Sequence, residues 1–521
     1  MVLNGGPSGS ARARASSGTV DAMADVAAGH QVPEPWNVPG NLCADVHETH
    51  TGVVTLMGAR AYKAKKAVRT DFCDFTTVAS RDAACRRELE LNRRLAPGSY
   101  EGIGYFHSPA GVREPVVVMR RYPDEARLAT LVRGGAPVEA DLTGIAALLA
   151  GFHRGAARGP AIDAEATAAA TAGRWEENLS ELRRHAGVVV AADSVDEIAT
   201  RATRFLEGRT SLFTQRIAQR RIVDGHGDLL ADDIFCTPDG PVLLDCLEFD
   251  DRLRYVDGLD DAAFLAMDLE FCGRPDLAGR FLEAYRAEAA DPAPRPLADF
   301  CVAYRAVVRA KVDCVRVTQG HADAAVDAQH HLDIALRHLR SGAVRLIVIG
   351  GGPGTGKSTV ARGLANRTGA RVVSTDEVRR QLHEEGLLSG ATGTLDAGLY
   401  APGQVAAVYD EVLRRARELL TLGWPVILDG TWRDAAHRQQ ARDVGRETAS
   451  EVIEFICGAP VEAAMRRVAA RGPSASDATP EIAAALSDAH EDWPQAHRLD
   501  TTRPVEESIA EAQQRCSASG Q

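Results

Sequence analysis

Apolar positions along the chain change their period several times, and each change marks a different kind of element. Strand-like runs at residues 51–57 and 61–68 are interrupted at Gly58, which predicts a hairpin, and the spacing over residues 82–95 is helical. A second strand pair is expected at 104–106 and 115–119. From Val138 to Ile217 the spacing stays helical, with helices expected near 142–155, 164–185 and 195–212. Short strands at 222–223 and 241–244 bracket a loop, and residues 259–270, 275–288 and 298–340 return to helix. A small sheet, a helical lobe, loop-bearing strands and more helices together predict a two-lobed domain that ends near Arg340.

Beyond Ser341 and Gly342 the pattern becomes strand–helix alternation: 344–349, 358–367, 371–374, 375–383, 406–422, 425–428, 435–446 and 451–456. Strands that are apolar nearly throughout imply a parallel sheet covered by helices on both faces. The fold class expected is therefore α+β followed by α/β. Residues 1–40 are small, polar and Pro-containing and read as a disordered tail, residues 41–340 as the first domain and 341–521 as the second. At 521 residues the chain exceeds the ~250–300 that one hydrophobic core supports, so more than one domain is required in any case.

Composition narrows the function. With 60 basic and 72 acidic residues the formal charge is −12, which argues against a protein that grips nucleic-acid phosphates and favours a small-molecule substrate. The ten cysteines stand singly, without a C-x-x-C pair, and read as reduced thiols. The N-terminal stretch lacks the apolar core of a secretory signal, and no apolar run approaches the ~18 residues of a membrane span. A cytoplasmic protein without membrane partners is expected; its oligomeric state is not legible.

The strongest motif follows the strand at 344–349. Gly351, Gly352, Pro353, Gly354, Thr355, Gly356, Lys357 and Ser358, with Thr359 opening a helix, match G-x-x-x-x-G-K-[ST] in the strand–loop–helix context that it requires. Such a loop turns backbone N–H groups and the positive end of a helix toward phosphate, while Lys357 supplies charge to the β- and γ-phosphates and Ser358 a hydroxyl to Mg²⁺. ATP with Mg²⁺ is the ligand expected. The next strand delivers Asp376, either a base for an attacking hydroxyl or a plain helix N-cap, and Arg379 one turn on is placed to hold a polar or anionic substrate. Asp429 ends an aliphatic strand, in a Mg²⁺-holding or a structural role. Arg466, Arg467 and Arg471 precede a small polar run at 472–477 and a helix expected at 481–486, which suits a phosphate-facing lid or a solvated basic face.

On these residues the second domain resembles the P-loop kinases of the gluconate kinase, zeta-toxin and polynucleotide 5′-kinase type. The marks are the phosphate loop, the D-x-x-R of Asp376 and Arg379, the strand ending at Asp429 and the Arg-bearing lid. The resemblance implies γ-phosphate transfer to a hydroxyl, without fixing whether the acceptor is a small metabolite or a nucleotide-sugar.

In the first domain, Asp224-Gly225-His226-Gly227-Asp228 and, five residues on, Asp233 have the spacing of a catalytic loop in which one Asp takes a substrate proton and a later residue binds Mg²⁺. Asp245 ends the following strand, in a place suited to metal. Lys63, after the small Ala61, stands where a strand lysine meets the α- and β-phosphates, and Glu88 on the next helix is its expected partner; Lys65 and Glu90 compete. Together these resemble the aminoglycoside phosphotransferase-like family, which implies a bilobal protein-kinase-like fold. Two departures stand out: Asp233 where the family pattern has Asn, and Leu230 where a second His is common. The first domain is then either a second kinase or an ATP-binding pseudokinase that regulates its neighbour.

Overall fold

Ala61, Lys63 and Lys65 point to one side of a strand and Tyr62 and Ala64 to the other, and it is the lysine side that is buried. The computed structural model describes residues 44–48, 52–69, 74–107, 111, 113–391, 397–470, 479 and 493–518. The tail expected at 1–40, Arg471, the polar run at 472–477 and the helix expected at 481–486 lie outside the described residues.

By contacts the described residues form two compact units, one comprising residues up to Ala166 together with Arg220–Pro292, the other Thr167–Gln219 together with the chain from Ala293 on. In the first unit, β1 (Asp45–Glu48), β2 (Gly52–Met57), β3 (Arg60–Lys65), β4 (Tyr100–His107) and β5 (Arg113–Arg120) form an antiparallel sheet in the order β1-β2-β3-β5-β4. Gly58 makes the β2–β3 turn with φ at 57°. The helix Val78–Asn92 starts where Thr77 accepts a hydrogen bond from Ser80 N, and its Cys85 packs with Ala61, Tyr100, Val117 and Met119.

The loop-bearing segment holds four short strands where two were expected. β6 (Ile222–Asp224) pairs with β9 (Tyr255–Asp257), and β7 (Ile234–Thr237) pairs with β8 (Gly240–Leu243), so the two runs read from the sequence each have another partner. β7 and β9 went unread because four and three residues are too few to display a period.

In the second unit the long apolar stretch at 298–340 is two helices, Arg295–Thr318 and Ala324–Ser341, divided at Gly320 with φ at 98°. The helix read at 195–212 also ends early: Ala192–Glu207 stops at Gly208, where a Cβ would lie 2.2 Å from Thr448 O, and Thr210–Ala218 follows. β10 (Arg345–Gly350), β11 (Arg371–Ser374), β12 (Val426–Asp429), β13 (Glu451–Gly458) and β14 (His497–Asp500) form a wholly parallel sheet in the order β11-β12-β10-β13-β14. One helix layer contains Lys357–Thr368 packed on Val505–Ala518, the other Pro402–Thr421 packed on Ala435–Glu447. The first layer shares its core with the sheet through Ile347, Ile349, Val360, Leu364, Phe455 and Leu499. β14 and the helix after it were not read from the sequence. In β14 only Leu499 is buried, which leaves no alternation to detect.

Register decides where chemistry sits. Ile349 and Ser374 both lie level with Asp429, so three strands deliver their ends to one edge. No helix among the described residues is long and apolar enough to cross a membrane. Every described cysteine is a free thiol.

Glu197 ties the helices of the second unit together. It accepts hydrogen bonds from Arg340, at 2.6 and 2.8 Å, and from Arg201 at 2.6 Å. The Arg340 bonds, then those of Arg201, hold its pKa at about 2, below the ordinary 4.5. Because folding depresses this pKa, the stabilisation is complete above the ordinary value and is lost as pH falls through the folded one. Glu197→Gln is therefore expected to lower Tm at neutral pH, with the gap from the parent protein closing as the pH of thermal unfolding falls from about 4.5 to about 2.

Candidate functional site

The phosphate loop runs from the end of β10 into the helix Lys357–Thr368, and glycine is required in it by backbone conformation and, at Gly351 and Gly354, also by space. Gly351, Gly354 and Gly356 have φ of 141°, 79° and 86°. A Cβ at Gly354 would lie 2.3 Å from Ala464 O, and one at Gly351 would lie 2.6 Å from Thr355 Oγ1 and 2.8 Å from Cys457 O. Thr355 closes the turn by donating to Gly352 O at 2.8 Å, and Thr501 donates to Thr355 O at 2.7 Å. Arg467 donates to Thr501 O at 2.8 Å and to Gly354 O at 3.4 Å, so this arginine braces the back of the loop. Gly351, Gly352, Pro353, Gly354 and Thr355 are buried, whereas Lys357 and Ser358 are half-buried at the mouth and Thr359 is exposed in the first turn.

Asp429 ends β12 beside this loop. Burial raises its pKa, opposed by the charge of Lys357 and a hydrogen bond from Ser358. Its Oδ1 is buried without a hydrogen-bond partner, the state of an oxygen positioned for a cation.

Across the same edge, Ser374 occupies the N-cap position of the helix Thr375–Glu384. Asp376 therefore stands inside the first turn, which removes the reading of it as the cap. Its carboxylate pairs with Arg379 at 2.9 Å. Arg379 is buried, lies 4.4 Å from the centroid of the Tyr400 ring, and keeps its Nε without a partner. The wall nearby went unread in the sequence. Trp432, fully buried with φ at 50°, donates its backbone N–H to Tyr409 Oη at 3.1 Å, and Tyr409 stacks on His437 with centroids 4.1 Å apart. The signal available was the Gly430-Thr431-Trp432-Arg433 run, which puts a bulky aromatic directly after the strand that ends at Asp429.

The first unit has its own cluster of charge. Lys63 pairs with Glu88 at 2.9 Å and with Asp245 at 2.5 Å; Lys65 pairs with the same Glu88 at 2.7 Å and also with Glu248. Both lysines stand on the buried face of β3, and Glu88 is fully buried. Against the penalty of burial, Asp245 and then Glu88 push the Lys63 pKa well above its ordinary value, so the ammonium stays charged. Of the competitors, Lys65 shares the site with Lys63, whereas Glu90 pairs with Arg87 at 3.0 Å on the surface.

Asp245 has φ at 65°, and its N–H donates to Tyr100 Oη at 3.1 Å. Asp233 is the outlier: burial, with Asp245, Asp228 and Asp232 close by, pushes its pKa well above the carboxylate range, and its Oδ2 is buried without a partner. The departure from Asn thus places a carboxylate among carboxylates, a cost that a divalent cation would offset.

The loop bearing Asp228 is held by two acids that sequence reasoning missed. Asp261 accepts from His226 N at 2.7 Å and Gly227 N at 2.8 Å, and Asp268, two turns along the same helix Gly258–Phe271, accepts from Ala231 N at 2.8 Å. Against the penalty of burial, the His153 hydrogen bond at 2.9 Å holds the Asp261 pKa well below the usual range. The available signal was the recurrence of acids in a helix whose other residues are all apolar or glycine.

A Mg²⁺ ion fits both places by the chemistry of the donors. Asp429 and Asp233 each present an unpartnered buried oxygen, with Ser358 beside the first and Asp245 beside the second. No group of three or more His, Cys, Asp or Glu side chains suited to a metal occurs among the described residues. A cation shared between one or two carboxylates and phosphate oxygens is the arrangement that Mg²⁺ adopts.

Residues 346–492 match the model of a family described as an AAA domain. Among solved structures, a gluconokinase from Sinorhizobium meliloti 1021 is 16% identical with a TM-score of 0.25, covering 34% of this chain and 93% of that one. The GDP and kanamycin complex of APH(2")-IIia is 15% identical with a TM-score of 0.37, covering 55% and 90%. "Uncharacterized protein Rv2004c" of Mycobacterium tuberculosis (strain ATCC 25618 / H37Rv) is 55% identical over 469 residues, 90% of this chain and 94% of the relative. An identity of that level over nearly the whole of both sequences means that the chain belongs to the same family as this mycobacterial protein.

Proposed function

We propose that the protein is an ATP-dependent phosphotransferase whose P-loop unit transfers the γ-phosphate to a hydroxyl of a small metabolite. The observation that carries this reading is the Asp376–Arg379 pair, delivered to the same sheet edge as the phosphate loop and Asp429. A loop that only binds nucleotide has no need of a carboxylate held there by a buried arginine.

The roles follow from position. The loop amides of Gly351, Gly352, Gly354, Thr355 and Gly356 and the ammonium of Lys357 take up phosphate charge. Asp376 accepts the proton of the acceptor hydroxyl as its oxygen bonds to the γ-phosphorus and the bond to the ADP oxygen breaks. Arg379 holds Asp376 in place and orients the acceptor through its guanidinium. Mg²⁺, when bound by Ser358 and Asp429, supplies further neutralisation of the phosphate oxygens.

In the first unit the Lys63–Glu88 pair is formed and Asp228 lies on a loop fixed by Asp261, which supports a second ATP site with Asp228 as base and Asp233 and Asp245 as the Mg²⁺ donors. The extra carboxylate that Asp233 brings beside Asp245, where the family pattern has Asn, favours a competing reading, a pseudokinase that binds nucleotide without transfer.

In the full-length protein, Lys357→Met is expected to reduce acceptor-dependent ATP consumption at least ~100-fold, given the worth of a phosphate-contacting charge. Unchanged consumption would remove the P-loop unit from catalysis. Asp376→Asn is expected to lower kcat by about 10²–10⁴ with MgATP affinity, measured calorimetrically, held within about twofold. Loss of affinity along with kcat would assign Asp376 a structural role instead. If the Lys357→Met protein retains ATP consumption that Asp228→Asn abolishes, the first unit is a second kinase; if Asp228→Asn changes nothing, it is the pseudokinase.

A further inference from the structure

Arg209 is a buried guanidinium without a counter-ion. It is 1% exposed, follows the tight passage at Gly208, and gives its terminal nitrogens to uncharged acceptors, Thr448 O and, at 3.2 Å, Ser450 Oγ. Its Nε has no partner at all. Among the described residues no carboxylate acts on it: burial, then the like charge of Arg204, pushes its pKa down to about 9. A charge so placed is costly unless something pairs with it.

Arg209 lines a cavity of about 260 Å³ contained within the second unit. Two acids also line it, and both are engaged elsewhere: Glu197 by Arg201 and Arg340, Glu451 by Arg345 at 3.1 Å. Arg204, whose Nε donates to Ala449 O at 3.2 Å, adds a second lining cation with no ion pair among the described residues. Arg201 and His338 line it too, each paired with an acid, Glu197 and Asp299, and much of the remaining wall is apolar. Phe205 and Phe300 stack with centroids 4.2 Å apart, and the Arg209 guanidinium lies 5.8 Å from the Phe205 ring.

We infer that this cavity is a binding site for a small organic monoanion, a carboxylate with a flat apolar body, separate from the phosphate loop. The carboxylate would meet Arg209 and Arg204, and the body would lie against Phe205 and Phe300. A bare inorganic anion would find only part of this, since desolvating it against aromatic rings returns nothing. Val344, which also lines the cavity, is followed directly by β10, so the site abuts the strand that leads into the phosphate loop.

The test uses the full-length protein without nucleotide and benzoate as the probe, with benzamide as its neutral counterpart and inorganic phosphate as the bare anion. Calorimetric titration should show saturable uptake of one benzoate per chain, with benzamide and phosphate each at least tenfold weaker. Arg209→Met should abolish that uptake, and Arg204→Gln, a change at an exposed position that leaves folding intact, should weaken it at least threefold. Absence of saturable benzoate uptake, equal uptake of benzamide, or uptake unaltered by Arg204→Gln would overturn the assignment, as would phosphate binding more tightly than benzoate. Because no ATP is present, failure here leaves the phosphotransferase reading untouched, and success does not depend on it.

Discussion

Closeness of backbone to backbone is the constraint on which the second unit turns. The phosphate loop passes Ala464 O so tightly at Gly354, and Thr355 and Cys457 so tightly at Gly351, that neither position can carry a side chain. That tightness aims N–H groups inward and starts a helix at Lys357 with its positive end toward the same point. Behind the loop, Thr501 and Arg467 hold its carbonyl oxygens, so the turn is supported from residues more than a hundred positions away in sequence. The parallel register then brings Ser374 and Asp429 to the same edge, and the residues that follow them inherit the position.

The first unit solves an opposite problem. There the difficulty is charge taken out of water: two lysines on the inner face of β3, a glutamate with no exposure, and aspartates crowded near Asp233. Unpaired, each would cost several kcal/mol. Pairing settles the lysines and Glu88, while backbone N–H groups settle Asp261 and Asp268. Asp233 keeps a buried oxygen without a partner, and it does so at a position that the catalytic-loop spacing marked for metal.

Sequence disclosed the parts that carry strong local signals. The phosphate loop, the strand ends at Ser374 and Asp429, and the β2–β3 hairpin could be read because glycine spacing and apolar runs are local properties. Lys63 and Glu88 were legible only as a pair of candidates, since choosing Glu88 over Glu90 requires knowing which side of the helix Val78–Asn92 faces the sheet. Strands of three or four residues such as β7, β9 and β14 left no period. Asp261, Tyr409, Thr501 and Arg209 act through partners distant in the chain, and nothing in their immediate neighbours announces those partners. The division into compact units is likewise a property of contacts: the helices at 168–218 and 295–341 group with the parallel sheet, although their sequence pattern continues from what precedes them.

Glu88 gives one oxygen to each of two lysines that sit two residues apart on β3. A swing of the helix Val78–Asn92 away from the sheet would take that acid from both ammonium groups and leave Lys63 to Asp245 and Lys65 to Glu248. Strand, helix and the segment that carries Asp245 and Glu248 thus share one knot of buried charge, in which displacing any member changes the pairing of the others.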